Sequence, residues 1–249
     1  MKTKRHTGQK LRLIAVKNVP VAAWADLRQV CAVSNYIIKY GRDERVKYIS
    51  HLDFIRCFHR AVRRSPLQFV FSQGFNPHPV MTVAQPLSVG VTSESEYMKV
   101  GFDGDYECDY IVNSLNEVMP PGFTVYAAMR LEGKEPDITK LDRAVYVVET
   151  EFWGDFDAES FMKNKELKIM KKSKSGIKES DIREHIFYVK ELSRTENTLT
   201  LEMCVSSGGT YNLKPESVIE AMNKYCDDFK SGFINIHRKK ILCGEREYL

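Results

Sequence analysis

Between Ser50 and Glu96 the chain reads SHLDFIRCFHRAVRRSPLQFVFSQGFNPHPVMTVAQPLSVGVTSESE, and most of its candidate chemistry lies there. His51 and His78 are imidazoles that can exchange a proton near neutral pH, and Glu96 is a carboxylate that could assist them. These three are the candidate catalytic residues. Together with Asp53 they have the ligand types of a metal site, but nothing in the spacing makes them converge, and no metal is expected. Gln73 and Asn76 carry amides that could read an amide or a base edge. Arg56, Arg60, Arg63 and Arg64 carry guanidinium groups suited to phosphates or to an acidic partner.

Plainer roles stand beside each of these. Ser50 and Asp53 form the S-x-x-D pattern of a capping box, which starts a helix at His51. His51 then lies in the first helical turn, where it could face a phosphate or simply be solvated or packed. The loop amides could make ordinary turn hydrogen bonds, and the arginines could line a solvated helix face. His78, held between Pro77 and Pro79, is the stronger functional candidate of the two histidines.

The elements that must position these groups follow from punctuation and period. NYIIKYGRDERVKYIS reads as a β-hairpin about a Gly-Arg-Asp-Glu turn. In the helix from His51, the residues Leu52, Ile55, Phe58 and Val62 recur at helical spacing and are expected to face the core, with the arginines opposite. Pro66 ends it. LQFVFS is expected as a strand, SQGFNPHP as an irregular loop, VMTVAQPLSVGV as a strand broken at Pro86, TSESE as a turn and EYMKVGF as a strand. An amphipathic helix over YECDYIVNSLNEV and a strand over FTVYAAMRLEG complete a strand–helix–strand–strand–helix–strand order. After the linker KEPDITKLDR a looser version follows. It comprises strand AVYVVETEF, helix DAESFMKNKEL, a lysine-rich span, strands IFYVKELS and TLTLEMCVS, helix PESVIEAMNKYCDDF and strand FINIHRKKIL. The predicted fold is α+β with two ferredoxin-like-type units, antiparallel sheets covered by helices. Residues 1–34 read as a basic extension, 35–133 as the first unit and 134–249 as the second.

Composition narrows the function classes. At 249 residues, 43% hydrophobic and 28% charged, the chain is an ordinary globular one. Its net charge of +4 is uneven: residues 1–34 carry a balance of +6 and the remainder −2, so a nucleic-acid surface must be a local patch. Lys171, Lys172, Lys174 and Arg183 form a second basic cluster. The six cysteines are scattered without a C-x-x-C pair, which excludes a zinc ribbon and fits reduced thiols. No apolar run is long enough to span a bilayer, so a cytoplasmic location without membrane contact is expected.

Several of these segments resemble the radical-SAM-associated domain of unknown function, a bacterial family fused to or encoded beside a cobalamin-binding-type radical SAM protein. Its pattern is S-H-L-D, an arginine-rich helix, Y-S-x-G-F-x-P-H-P, P-L-x-x-G and S-x-x-E-Y. Here these stand at Ser50–Asp53, Arg63–Arg64, Phe71–Pro79, Pro86–Gly90 and Ser93–Tyr97, with Phe71 in place of the tyrosine. The similarity returns at KKSKSGIKESDIR and GGTYNLKPE. The resemblance implies partnership with a radical SAM protein, which would carry the iron–sulfur cluster and S-adenosylmethionine. This chain lacks the C-x-x-x-C-x-x-C that holds such a cluster, and no cofactor of its own is expected. The leading expectation is a non-catalytic recognition protein that presents RNA, or a ribosomal component, to that enzyme. The alternatives are an RNA-modifying or RNA-processing enzyme using His51 and His78, and a structural partner with no RNA role.

Overall fold

The computed structural model describes residues 33–132, 137–173, 176–247 and 249, with backbone alone at 172 and 173. The basic extension therefore lies outside the described residues except for 33 and 34, as do Lys174 and the side chain of Lys172. The elements run β1 (Val33–Arg42), α1 (His51–Arg64), β2 (Met81–Val83), β3 (Val91–Asp103), α2 (Cys108–Val118) and β4 (Phe123–Arg130). They continue with β5 (Arg143–Gly154), α3 (Ala158–Met162), β6 (Lys168–Ser173), β7 (Gly176–Asp181), β8 (Ile186–Arg194), β9 (Thr198–Ser206), α4 (Pro215–Tyr225) and β10 (Phe229–Leu242). Among the described residues no helix is long and apolar enough to cross a membrane.

The fold is α+β. One sheet has the order β4-β1-β3-β10-β5-β9-β8, with β2 on β3, and β6 and β7 form a separate hairpin. Each half has the same relative order, fourth–first–third–second: β4-β1-β3-β2, then β10-β5-β9-β8. All these pairings are antiparallel except β3 with β10, which run parallel through Val91–Ile236, Thr92–His237 and Ser93–Arg238. The short β2 covers β3 only at Met98–Val100, so the edge at Val91–Ser93 is left for β10. Alternate strand residues point to opposite faces. Ile38, Met98 and Phe102 therefore pack under α1 and α2 with Phe54, Phe58 and Leu115, and Ile37 and Tyr97 join a cluster on the other face. In the second half Val148, Leu201 and Met203 pack with Phe161, Val218 and Met222.

Helix α1 starts where the capping box places it. Ser50 accepts from the Asp53 backbone N–H (3.2 Å), and its hydroxyl donates to Asp53 Oδ2 (2.8 Å). That hydroxyl, followed by the Arg56 guanidinium, holds the Asp53 carboxyl below its usual range. Ser50→Ala is expected to cost about 1 kcal/mol of stability in urea unfolding, with an unchanged m-value.

The expected core face of α1 holds at Ile55, Phe58 and Val62 and is corrected at Leu52. The buried residues are Phe54, Phe58, Ala61 and Val62, while Leu52 is 65% exposed. Phe54 stacks on Tyr40 of β1 with ring centroids 4.8 Å apart, and this contact sets the helix's rotation. Four further readings change. VMTVAQPLSVGV is a strand only at Met81–Val83 and is irregular from 84 to 90, with β3 beginning at Val91. RVKYIS is a turn rather than a hairpin arm, because buried Arg42 donates to the Val46 and Ile49 carbonyls (3.0 and 2.6 Å) that a strand would have used. LQFVFS makes only single bridges, Phe69 to Phe102 and Phe71 to Pro79. TSESE is the interior of β3, its polar groups satisfied within the fold: Ser93 donates to the Arg238 carbonyl (3.0 Å) and Glu96 pairs with Arg238.

Candidate nucleic-acid interface

Two groups of the highlighted residues separate in space. The first is the outer surface of α1 together with the loop between Phe71 and Pro79. Arg56, Arg60, Arg63 and Arg64 are all exposed. Arg56 pairs with Asp53 at 3.0 Å, and Arg64 donates to the Val118 carbonyl at the end of α2 (2.7 Å). Arg60 and Arg63 have no such partner among the described residues, which leaves two guanidinium groups for a ligand.

The loop is anchored before it projects. Val70 donates to the Gly101 carbonyl (2.9 Å), Gly101 to the Val80 carbonyl (3.0 Å) and Val80 to the Val70 carbonyl (2.8 Å), stitching both arms to β3. The Ser72 N–H donates to the His78 carbonyl (2.8 Å), and the Ser72 oxygen accepts from the His78 N–H (3.1 Å). The same hydroxyl lies 2.9 Å from His78 Nδ1, so the imidazole is fixed against the neck of the loop. Beyond that neck Gly74 adopts φ +134°, a conformation open to glycine, and turns the chain back. Gln73, Asn76 and Phe75 are exposed, and Phe75 is exposed completely, at 105%. An unsupported aromatic ring on an anchored loop is a surface for another molecule.

Loop and helix share one neighbourhood. His59 of α1 contacts Phe69 edge-on (5.6 Å) and places Nε2 3.1 Å from Met81 Sδ. Burial, then the charges of Arg63 and His78, hold the His59 pKa below its ordinary value. His51 lies at the start of α1, half-buried, and no hydrogen bond joins it to His78.

Glu96 belongs elsewhere. It is wholly buried and pairs bidentately with Arg238 of β10, Nε to Oε1 at 2.8 Å and Nη2 to Oε2 at 2.6 Å. Burial opposes the Arg238 charge, but Glu96 outweighs it and the pKa is raised. His51, Asp53, His78 and Glu96 do not gather; among the described residues no group of three or more His, Cys, Asp or Glu side chains could hold a metal. In the second half, Lys171 lies over the Tyr211 ring (4.2 Å). Arg183 donates to the carbonyls of Asn164, Ile186 and Met162 (3.0, 3.1 and 2.8 Å), so its guanidinium ties the backbone together.

Two participants were not singled out from the sequence. Phe75 had a usable signal: an aromatic flanked by Gly74 and Asn76-Pro77 sits where a chain turns and has nothing to pack on. Arg238 had a fainter one, a charge two residues after the inward-facing Ile236 in the last strand.

No curated protein matches the chain at a significant level. Among solved structures, a chain from the crystal structure of a Cbf5-Nop10-Gar1 complex is similar at a TM-score of 0.47 and 10% identity, over 83% of this chain and 48% of that one. The chain thus spans about half the length of that relative. An unknown protein from Galdieria sulphuraria aligns at a TM-score of 0.25 and 11% identity, over 83% of this chain and 99% of that one. Neither likeness is close enough to assign a role. Residues 35–215 match the family described as an uncharacterized protein conserved in bacteria (DUF2344), and since that span is most of the sequence, the chain belongs to this family.

Proposed function

We propose that this protein recognises RNA, alone or within a ribonucleoprotein, and presents it to a separate radical SAM enzyme without performing chemistry itself. The observation that carries the RNA part is the fully exposed Phe75 ring on a hydrogen-bonded loop whose base packs against His59 of α1, the helix that carries the unpaired guanidinium groups of Arg60 and Arg63. Every base has a face on which an aromatic ring can stack, and every nucleotide has a phosphate for an arginine. Gln73 and Asn76, exposed on either side of Phe75, add amides that can read a base edge. The enzyme partner rests on the resemblance of Ser50–Tyr97 to the radical-SAM-associated domain, and the cluster and S-adenosylmethionine would belong to that partner.

Phe75→Ala separates this role from a structural one, because the ring supports nothing in the fold. Binding to single-stranded RNA should weaken by about 1–3 kcal/mol, the worth of one stacked base, with unfolding unchanged. Equal RNA affinity for the variant and the parent would remove Phe75 from the interface. Affinity capture from the native cell tests the partnership: recovery of a radical SAM protein supports it, and its absence among captured proteins counts against it.

A further inference from the structure

The junction of the two halves holds a cleft of about 190 Å³ that lies apart from the arginine face. One wall is the Gln85–Ser88 segment, the other the Gly208–Lys214 turn that leads into α4, and Arg238 reaches the lining between them. Both walls are fixed. The Gln85 amide donates to the carbonyls of Leu141 (3.0 Å) and Ser207, and its Oε1 accepts from the Ser207 hydroxyl (2.5 Å). Leu213 donates to the Ser206 carbonyl (2.8 Å), closing the second wall. Such a cleft is preformed rather than created by a ligand.

The charge around it is unbalanced. The walls carry two cations, Arg238 and Lys214, against the single carboxylate of Glu216. Arg238 is buried at 2% exposure and held from behind by Glu96. Two cations against one carboxylate on the walls favour an anion over a cation. At the rim Lys214, Ser88 and Asn212 are exposed, and their side chains make no hydrogen bond or ion pair among the described residues. Glu216, the one acid in the lining, is exposed and screened by water.

Gly209 is the second observation. Its φ is not in the left-handed region, and a Cβ there would meet no atom within 4 Å. Neither backbone nor packing requires a glycine, and Gly209 lines both this cleft and a neighbouring one bounded by His185 and Tyr211.

We infer that this cleft binds a small ligand through an oxyanion, a phosphate or a carboxylate, held by Lys214, Ser88 and Asn212 above the Arg238–Glu96 pair. The site is independent of RNA binding on the arginine face. Titration of the full ¹⁵N-labelled chain with inorganic phosphate, and separately with acetate, tests it and distinguishes the two anion classes. Saturable shifts of the Ser88, Gly209 and Lys214 amides with either anion are expected. Lys214→Gln should weaken that binding about two- to fivefold, as for an exposed ion pair. Gly209→Val should abolish it while the rest of the spectrum is retained, and Ser88→Leu should do the same from the opposite wall. Shifts that never saturate, or that persist in both cleft-filling variants, would overturn the inference.

Discussion

Replacing Arg238 by methionine is expected to destabilise the protein by about 3–5 kcal/mol, because it strands the Glu96 carboxylate in the interior. The pair is bidentate, at 2.8 and 2.6 Å, and both side chains are almost completely excluded from water. It also sits where the halves meet, since Arg238 and its neighbours are the only residues through which β10 pairs with β3. Glu96→Gln should be milder, because an amide can still accept from the guanidinium, but it leaves Arg238 and Arg42 without a counter-charge. The double variant Glu96→Leu/Arg238→Met should recover most of the loss, as apolar side chains of similar size often replace a buried ion pair at little cost. Denaturant unfolding of the two singles and the double gives the interaction energy directly. A loss below about 1 kcal/mol for Arg238→Met would mean the pair behaves like a solvated one and does not join the halves.

The second large effect concerns the arginine face. Arg60→Gln/Arg63→Gln should lower affinity for single-stranded RNA at low salt on the order of tenfold and reduce the salt slope by roughly 0.7 per residue. Stability should stay within about 0.5 kcal/mol of the parent, because both side chains are exposed and unpaired. Arg56→Gln and Arg64→Gln should have smaller effects on RNA, since those guanidinium groups are already engaged by Asp53 and the Val118 carbonyl. A different pattern, with Arg56 and Arg64 dominant, would shift the interface to the two ends of the helix.

Local signals were legible and distant ones were not. Ser50 and Asp53 are three residues apart, so the cap that starts α1 could be read directly. The α+β class and the antiparallel sheets under helices were also legible in the strand–helix order; the fourth–first–third–second arrangement came from the structure. The core face of α1 was readable at Ile55, Phe58 and Val62 but not at its first turn, where Phe54, stacked on the Tyr40 ring, is buried and Leu52 is not. TSESE looks like a turn because its polar residues have no visible partner; the partner of Glu96 lies 142 positions later. The same distance hid the parallel β3–β10 pairing, and with it the cleft beside Arg238. For the loop the sequence placed His78, Gln73 and Asn76 correctly in an irregular segment, yet the residue presented furthest to solvent is Phe75.

In the proposed function a localised patch on an otherwise near-neutral body binds the phosphate backbone of RNA. The most direct test is the salt dependence of equilibrium RNA binding by the purified chain. Contacts from Arg60 and Arg63, with any further phosphate contacts, release counterions, so log K should fall linearly with log salt at a slope of about −0.7 per contact for a single strand. Binding that is insensitive to salt, or no RNA bound at low salt, would contradict the claim.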